Sequence, residues 1–331
     1  MDAIPFHIVL ATAGQRPQLL ETTLHSLSSA AKPAGYAGLW LIENGPTAEA
    51  ATLAGQFEAA LGCRYRHCPE PNKSRALNVA LDEIDAGLIF FVDDDVRLAE
   101  EALLAYADAA GHFGRGHFFG GPTAAAYEGS PPPWLIRFLP PSARGLSHPP
   151  RTVRPLRWKQ SPFLGFNWAA FSEDIRIAGR FDPAVGPGSP TGARGQETDM
   201  QQRLHRAGCR PVYVPSACAW HHVPQAHCTT DWLLQRSYHH GLTEGVKARQ
   251  APNRLRQSYK LLRALTVQRV LQSLRPLAYL TQGRSVRRFA AHHHRRRCEG
   301  ILAGYRAAYE QPGGAAASIQ SPAAADDAAR Q

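Results

Sequence analysis

The chain has no Cys-x-x-Cys pair, only two methionines, and no apolar stretch of the roughly 18 residues that a membrane-crossing helix requires. Its six cysteines (63, 68, 209, 218, 228 and 298) are scattered. That spacing argues against a zinc ribbon or disulfide scaffold and for free thiols in a reducing cytoplasm. The N-terminus, Met1-Asp-Ala-Ile-Pro-Phe6, lacks a basic region and passes at once into a strand-like run, so no secretory signal is expected. Charged residues make up only 19%, but 44% of the 331 residues are hydrophobic, which excludes wholesale disorder. No internal repeat is visible. The length allows one large domain or two smaller ones.

Acids are missing from one place in particular. Residues 247–306 hold 15 Lys/Arg and a single acid, Glu299, within a chain of net charge +10. The remainder is therefore slightly acidic. Leu255, Tyr259, Leu262, Val270, Leu274 and Leu277 recur at helical intervals in this region. A basic amphipathic helix suits an anionic membrane surface. The competing readings are a solvated basic face packed on the body, and nucleic-acid binding. The run His292–Arg297 reads as surface charge. The stretch 312–331, rich in Ala, Gly and Ser, reads as a disordered tail.

The front of the chain alternates strand and helix signals. Strands are expected at Phe6–Ala11, Leu39–Ile42, Arg64–His67 and Leu88–Val92, and helices at Gln18–Ala31, Ala48–Leu61, Ser74–Ile84 and Leu98–Ala110. This order predicts an α/β fold with an open, mostly parallel sheet and helices on both faces. The prolines of 130–155 exclude a long helix or central strand there. A Gly/Pro loop at 186–195 precedes a helix over Met200–Ala207.

In such sheets ligands bind beyond the carboxyl ends of the strands. The polar residues in those places are Thr12 and Arg16, Glu43 and Asn44, and Asp93, Asp94 and Asp95. Three consecutive aspartates after a buried strand repel one another unless a cation or donors neutralise them. Carboxylate oxygens suit Mg²⁺ or Mn²⁺; the plainer alternative is an acidic turn capping the next helix. Lys73, Arg75 and Asn78 open a helix, where cations oppose the dipole unless an anion docks there. Glu197 and Asp199 read either as acids favouring a helix start or as a general base beside a loop. His221 reads either as structural or as the completion of a metal site.

In order along the chain these residues resemble the inverting family-2 glycosyltransferases with the A-type fold. The matching stretches are Ile8–Leu20, Leu41–Pro46, Asn72–Leu81, Ile89–Leu98 with its Val-Asp-Asp-Asp-Val, Phe163-Leu-Gly-Phe-Asn-Trp-Ala-Ala-Phe171, Gly179-Arg-Phe-Asp-Pro183, Gly195-Gln-Glu-Thr-Asp-Met-Gln-Gln-Arg-Leu204, Ala207–Pro215 and His221. The resemblance spans about residues 5–245. It implies a nucleotide-sugar donor, most often a UDP-sugar, with Mg²⁺ or Mn²⁺. By similarity, Thr12, Arg16 and Glu43, with Asn44, line the nucleoside side. Arg75 contacts the diphosphate, Asp93 and Asp94 face ribose and donor sugar, and Asp95 ligates the metal with His221 as a further contact. Gly165 and Asn167 border the acceptor. Glu197 stands at the catalytic carboxylate, with Asp199 second.

The resemblance further implies single-sugar transfer to a glycan or polyprenyl-linked acceptor of the cell envelope. The charge of residues 247–306, and not the resemblance, predicts that this otherwise cytoplasmic protein is peripheral on the inner face of an anionic membrane. Gln201-Gln-Arg-Leu204 lacks the Trp of the family's processive polymerases. The expected organisation is a catalytic domain at 1–230, with a nucleotide-sugar half to about 98 and an acceptor half beyond it. A basic helical region follows at 231–311. The alternatives are a nucleotidyltransferase, whose Gly-rich phosphate loop is absent from Ala11–Arg16, and a non-catalytic basic binding module.

Overall fold

The computed structural model describes residues 3–148, 152–158, 163–190, 195–250, 259, 262–263, 265–266 and 285–310. The tail expected at 312–331 and much of the basic stretch therefore lie outside the described residues. The chain divides into two compact units. The first comprises Met1–Ala126, Pro140–Ser189 and Ala193–Val223; the second comprises Tyr127–Leu139, Pro190–Gly192 and Pro224–Gln331.

The first unit opens with β1 (Phe6–Thr12), α1 (Pro17–Ser29), β2 (Tyr36–Asn44), α2 (Ala51–Gln56), α3 (Glu58–Leu61), β3 (Arg64–Cys68), α4 (Lys73–Glu83) and β4 (Leu88–Asp93). It continues with β5 (Val96–Leu98), α5 (Ala102–Phe113), β6 (His117–Gly120) and β7 (Thr123–Tyr127). The short helices α6 (Pro133–Ile136), which belongs to the second unit, and α7 (Pro141–Arg144) follow. Then come β8 (Arg154–Pro155), β9 (Trp168–Phe171), α8 (Ser172–Ala178), α9 (Gln196–Arg206), β10 (Arg210–Tyr213) and β11 (Ala219–Val223).

The main sheet has the order β3-β2-β1-β4-β9-β6-β10-β8. Its first four strands are parallel, and β9 runs antiparallel between β4 and β6. The central strands are buried on both faces, as their continuous apolar runs require. Ile8, Leu10 and Phe90 meet Leu24 and Leu27 of α1 and Leu103 and Tyr106 of α5 in one core. Val9, Ile42 and Phe91 meet Ala76 and Ala80 of α4 and Met200 and Leu204 of α9 in the other. A mixed sheet with helices on both faces is thus the fold. A second sheet, β5-β11-β7, stands beside it.

Two expectations are corrected. The helix expected at 98–110 begins only at Ala102, because Val96–Leu98 pairs antiparallel with β11 instead. The helix expected at 48–61 breaks at Phe57 into α2 and α3.

Asn167 is fully buried. Its amide donates to the carbonyls of Pro122 (3.0 Å) and Ala217 (2.9 Å), while the Tyr106 hydroxyl donates to its Oδ1 at 2.9 Å. The side chain ties three segments together where no water can replace it. Asn167→Ala should cost about 1–3 kcal/mol for each group left unpaired, read as a lowered denaturation midpoint.

In the second unit, α10 (Thr230–Gln250) packs on α11 (Ser285–Glu310). Gly241 and Gly245 face the backbone of Arg297, Ile301 and Tyr305, and Gly300 and Gly304 face Tyr238 and Leu242. The partners advance in the same direction along both helices, so the helices run parallel. A Cβ at Gly241 or Gly300 would lie 2.0 Å from a facing carbonyl oxygen. The spacing i, i+4 on both helices allows the backbones to touch. Trp134 of α6 and Phe138 just after it form an aromatic cluster with Phe289 and His293 of α11. Part of the basic run is neutralised within the unit: Arg297 pairs with Glu244 at 2.7 Å, and Arg296 with Glu299 at 2.7 Å. No helix among the described residues is long and apolar enough to cross a membrane. Gly300→Val should separate the two helices, lowering the unfolding temperature and admitting protease cleavage within 224–310 before any within 3–120.

Candidate active site

The site lies at the carboxyl ends of β1 and β4, within the first unit. β4 ends at Asp93, whose backbone is in register with Ala11 of β1. Asp94 and Asp95 form the turn into β5, and the pairing of β5 with β11 sets His221 opposite Val96. The Asp95 carbonyl also accepts from the His222 backbone N–H at 2.8 Å. A short antiparallel ladder thus carries a histidine from residue 221 to the aspartate turn.

Each aspartate has a different protein partner. Asp93 pairs with the ammonium of Lys73. Asp94 accepts from the Thr12 hydroxyl at 2.6 Å and pairs with Arg16. Asp95 Oδ2 accepts from Arg16 Nη1 at 2.7 Å. Arg16 therefore bridges two buried carboxylates, 4% and 9% exposed as residues. Burial opposes its charge, but Asp94 and Asp95 outweigh it and hold the guanidinium pKa above its ordinary value. Burial likewise opposes charge on Lys73, and Asp93 foremost, then Glu197, hold its pKa up. Burial is also the largest influence on Asp94 and raises its carboxyl pKa against the pull of Arg16 and Thr12.

Asp95 Oδ1 is buried and has no hydrogen-bond partner; it lies 3.5 Å from His221 Nε2. His221 stacks on Phe166 with ring centroids 4.7 Å apart. An unpartnered carboxylate oxygen beside an imidazole nitrogen is an oxygen-and-nitrogen donor pair suited to a divalent cation. Among the described residues no group of three His, Cys, Asp or Glu is arranged around a metal. The remaining positions would fall to water or to a ligand, as Mg²⁺ commonly arranges them.

Glu43 does not face an open pocket. It is fully buried, and its carboxylate accepts from the backbone N–H groups of Glu49 and Ala50 (both 3.0 Å) and from the Tyr65 hydroxyl at 2.6 Å. It holds the loop after β2 and presses on Gly14, where a Cβ would lie 2.2 Å from Glu43 Oε1 at φ +75°. Asn44 is buried beside it, 8% exposed.

The start of α4 is tied to neighbouring loops by hydrogen bonds. Lys73 N–H donates to Pro187 O, Arg75 N–H donates to the Asn72 side chain, and Asn72 and Asn78 donate to Pro183 and Phe181. Arg75 points to Glu70 at 2.8 Å on the surface. The cation aimed at the aspartates is its neighbour Lys73. One signal was available in the sequence: Lys73 and Arg75 lie two positions apart on a helix and cannot share a face.

Glu197 and Asp199 are both in the first turn of α9. Asp199 pairs with Arg203 at 2.9 Å. Glu197 packs on Gly165, where a Cβ would lie 2.9 Å from Glu197 Cγ, and it acts on Lys73 electrostatically. Gln201 of the same helix, fully buried, exchanges two hydrogen bonds with the backbone of Phe163. It thereby anchors the Phe163–Gly165 segment against the carboxylate. Thr12, Arg16, Lys73, the three aspartates and His221 form one connected set; Glu197, packed on Gly165, acts on Lys73 electrostatically.

The profile of Glycosyl transferase family 2 matches residues 8–176. Succinoglycan biosynthesis protein ExoM of Rhizobium meliloti (strain 1021) is 26% identical over 255 residues, covering 75% of this chain and 76% of that protein. The mannosyltransferase PcManGT from Pyrobaculum calidifontis, solved with GDP-Man and Mn²⁺, superposes with a TM-score of 0.51 at 14% identity over 99% of this chain and 80% of its own. GalNAc-T7, solved with UDP, GalNAc and Mn²⁺, gives 0.51 at 15% identity over 67% of this chain, which spans only 44% of that structure's length. The structural likenesses carry the glycosyltransferase A-type fold, and the family match sets aside the nucleotidyltransferase and binding-module alternatives. More than half of the chain's length follows the family profile, and the protein is a member of glycosyl transferase family 2.

Proposed function

We propose that this glycosyltransferase moves one sugar from a nucleoside-diphosphate sugar to a hydroxyl of a glycan or polyprenyl-linked acceptor, with inversion, in the synthesis of a cell-envelope polysaccharide. The observation that carries the reading is the connected set at the ends of β1 and β4, with Glu197 acting electrostatically on its Lys73. The curated relative's role in succinoglycan biosynthesis supports the polysaccharide part. UDP stands first among the donors, although solved relatives of this fold hold UDP in one case and GDP-Man in another.

Glu197 accepts the proton of the acceptor hydroxyl. Gly165, lacking a side chain, lets the Glu197 side chain pack against its backbone. The freed oxygen displaces the nucleoside diphosphate in line, so one displacement inverts the anomeric centre. Lys73, paired with Asp93 and influenced electrostatically by Glu197, offers positive charge for the leaving group as it gains negative charge. Asp95 and His221 would hold Mg²⁺ or Mn²⁺, which when bound supplies electrostatic stabilisation of the departing diphosphate. Asp199, engaged with Arg203, is a helix-stabilising residue in this reading.

The basic C-terminal region would keep the enzyme at the cytoplasmic face of an anionic membrane carrying a lipid-linked acceptor, with Arg287 and Arg288 exposed on α11. Sedimentation with anionic vesicles should fall as salt rises; binding indifferent to both lipid charge and salt removes that part of the reading.

Glu197→Gln should lower kcat by about 10²–10⁴-fold while nucleotide binding persists, and Asp199→Asn should stay within about tenfold. The reverse ranking would transfer the base to Asp199. A thermal-shift panel of UDP, GDP, dTDP and CMP with and without Mn²⁺ should single out one nucleotide. A ligand at about 100 times its Kd adds about 2.7 kcal/mol. The shift should require Mn²⁺ and vanish in Asp95→Asn.

A further inference from the structure

Arg16 occupies a position that its expected place beside the nucleoside does not explain. One guanidinium nitrogen is 2.7 Å from Asp95 Oδ2 and another pairs with Asp94. Both carboxylates are buried, while the Arg16 side chain is 47% exposed and reaches them from the β1–α1 loop. Two negative charges therefore meet one positive charge, on the same carboxylate whose other oxygen faces His221. A divalent cation at Asp95 Oδ1 would share that carboxylate with the guanidinium, and two cations held so close in a poorly solvated place repel each other.

We infer that Arg16 is an internal counter-ion that makes metal capture at Asp95 and His221 depend on the nucleoside diphosphate. This rests on the donor-site reading above. Without the nucleotide, Arg16 neutralises one of the two carboxylate charges, keeps the buried pair folded and holds metal affinity low. The diphosphate restores negative charge at the site and offers the exposed guanidinium a second acceptor of the kind it binds well. Metal and nucleotide then enhance one another's binding, and the enhancement is reciprocal. The device favours occupation by both together over metal alone.

The test measures Mn²⁺ binding by electron paramagnetic resonance and calorimetry, with and without UDP or GDP, independently of sugar transfer. Wild-type protein should bind Mn²⁺ weakly alone and much more tightly with the nucleotide. Arg16→Met should bind Mn²⁺ alone about tenfold more tightly or better, and show a smaller enhancement by nucleotide. Arg16→Met also leaves two buried carboxylates without their cation, so it should unfold earlier than wild type, and Mn²⁺ alone should restore much of the loss. Arg16→Lys, which keeps the charge, and the double variant Arg16→Met/Asp94→Asn, which restores the balance, should both return to weak binding of Mn²⁺ alone. Arg16→Met that binds Mn²⁺ no more tightly than wild type, in a protein whose wild type binds metal with nucleotide, overturns the inference and leaves the donor site standing. Wild type that binds neither Mn²⁺ nor nucleotide, together or apart, overturns both.

Discussion

Three carboxylates in a row at the end of a strand buried on both faces set the terms for everything around them. Negative charge in that position must be matched, and the chain matches it from three directions. Arg16 arrives from the loop after β1, Lys73 from the first residue of α4, and Thr12 from the end of β1 itself. Each lies in or beside one of the segments that flank β4. The cores on the two faces of the sheet hold those segments in place, so the packing of α1 and α4 is also the positioning of the charges. One carboxylate oxygen, Asp95 Oδ1, is left without a hydrogen-bond partner, 3.5 Å from the Nε2 of His221, which the β5–β11 ladder delivers there.

The front half of the fold was legible because its signals are local. Apolar runs of buried parallel strands, helical spacing between them and polar residues at the strand ends place β1 to β4 and the aspartate turn within a few residues. The grouping of Asp95 with His221, 126 positions apart, was legible only through the resemblance. It depends on β5, a three-residue strand whose partner no local pattern announces. The same strand displaced the start of α5 from 98 to 102.

Polar residues in the family's stretches were harder to sort by role. Glu43, Asn167 and Arg75 all sit where binding residues were expected. Glu43 and Asn167 spend hydrogen bonds on backbone and on tyrosine hydroxyls, and Arg75 pairs with Glu70. A buried carboxylate accepting two N–H groups and a hydroxyl resembles a ligand-binding carboxylate in sequence; only its partners tell them apart. Lys73 is the converse case, a cation half hidden by a more prominent neighbour. Glu197 and Asp199 were separable in principle, since two positions on a helix point to different sides. Which side faced the aspartates required the position of α9.

The glycine seam between α10 and α11 has an evolutionary consequence. Its four glycines meet the opposite backbone at intervals of one helical turn on each helix. Inserting or deleting one residue within either helix would rotate everything beyond it by about 100° and carry a glycine out of the seam, with a bulkier side chain taking its place. Descendants of this sequence can exchange residues freely on the outer faces of the pair. Their lengths between the glycines are locked, and variation in length is confined to what lies outside 241–245 and 300–304.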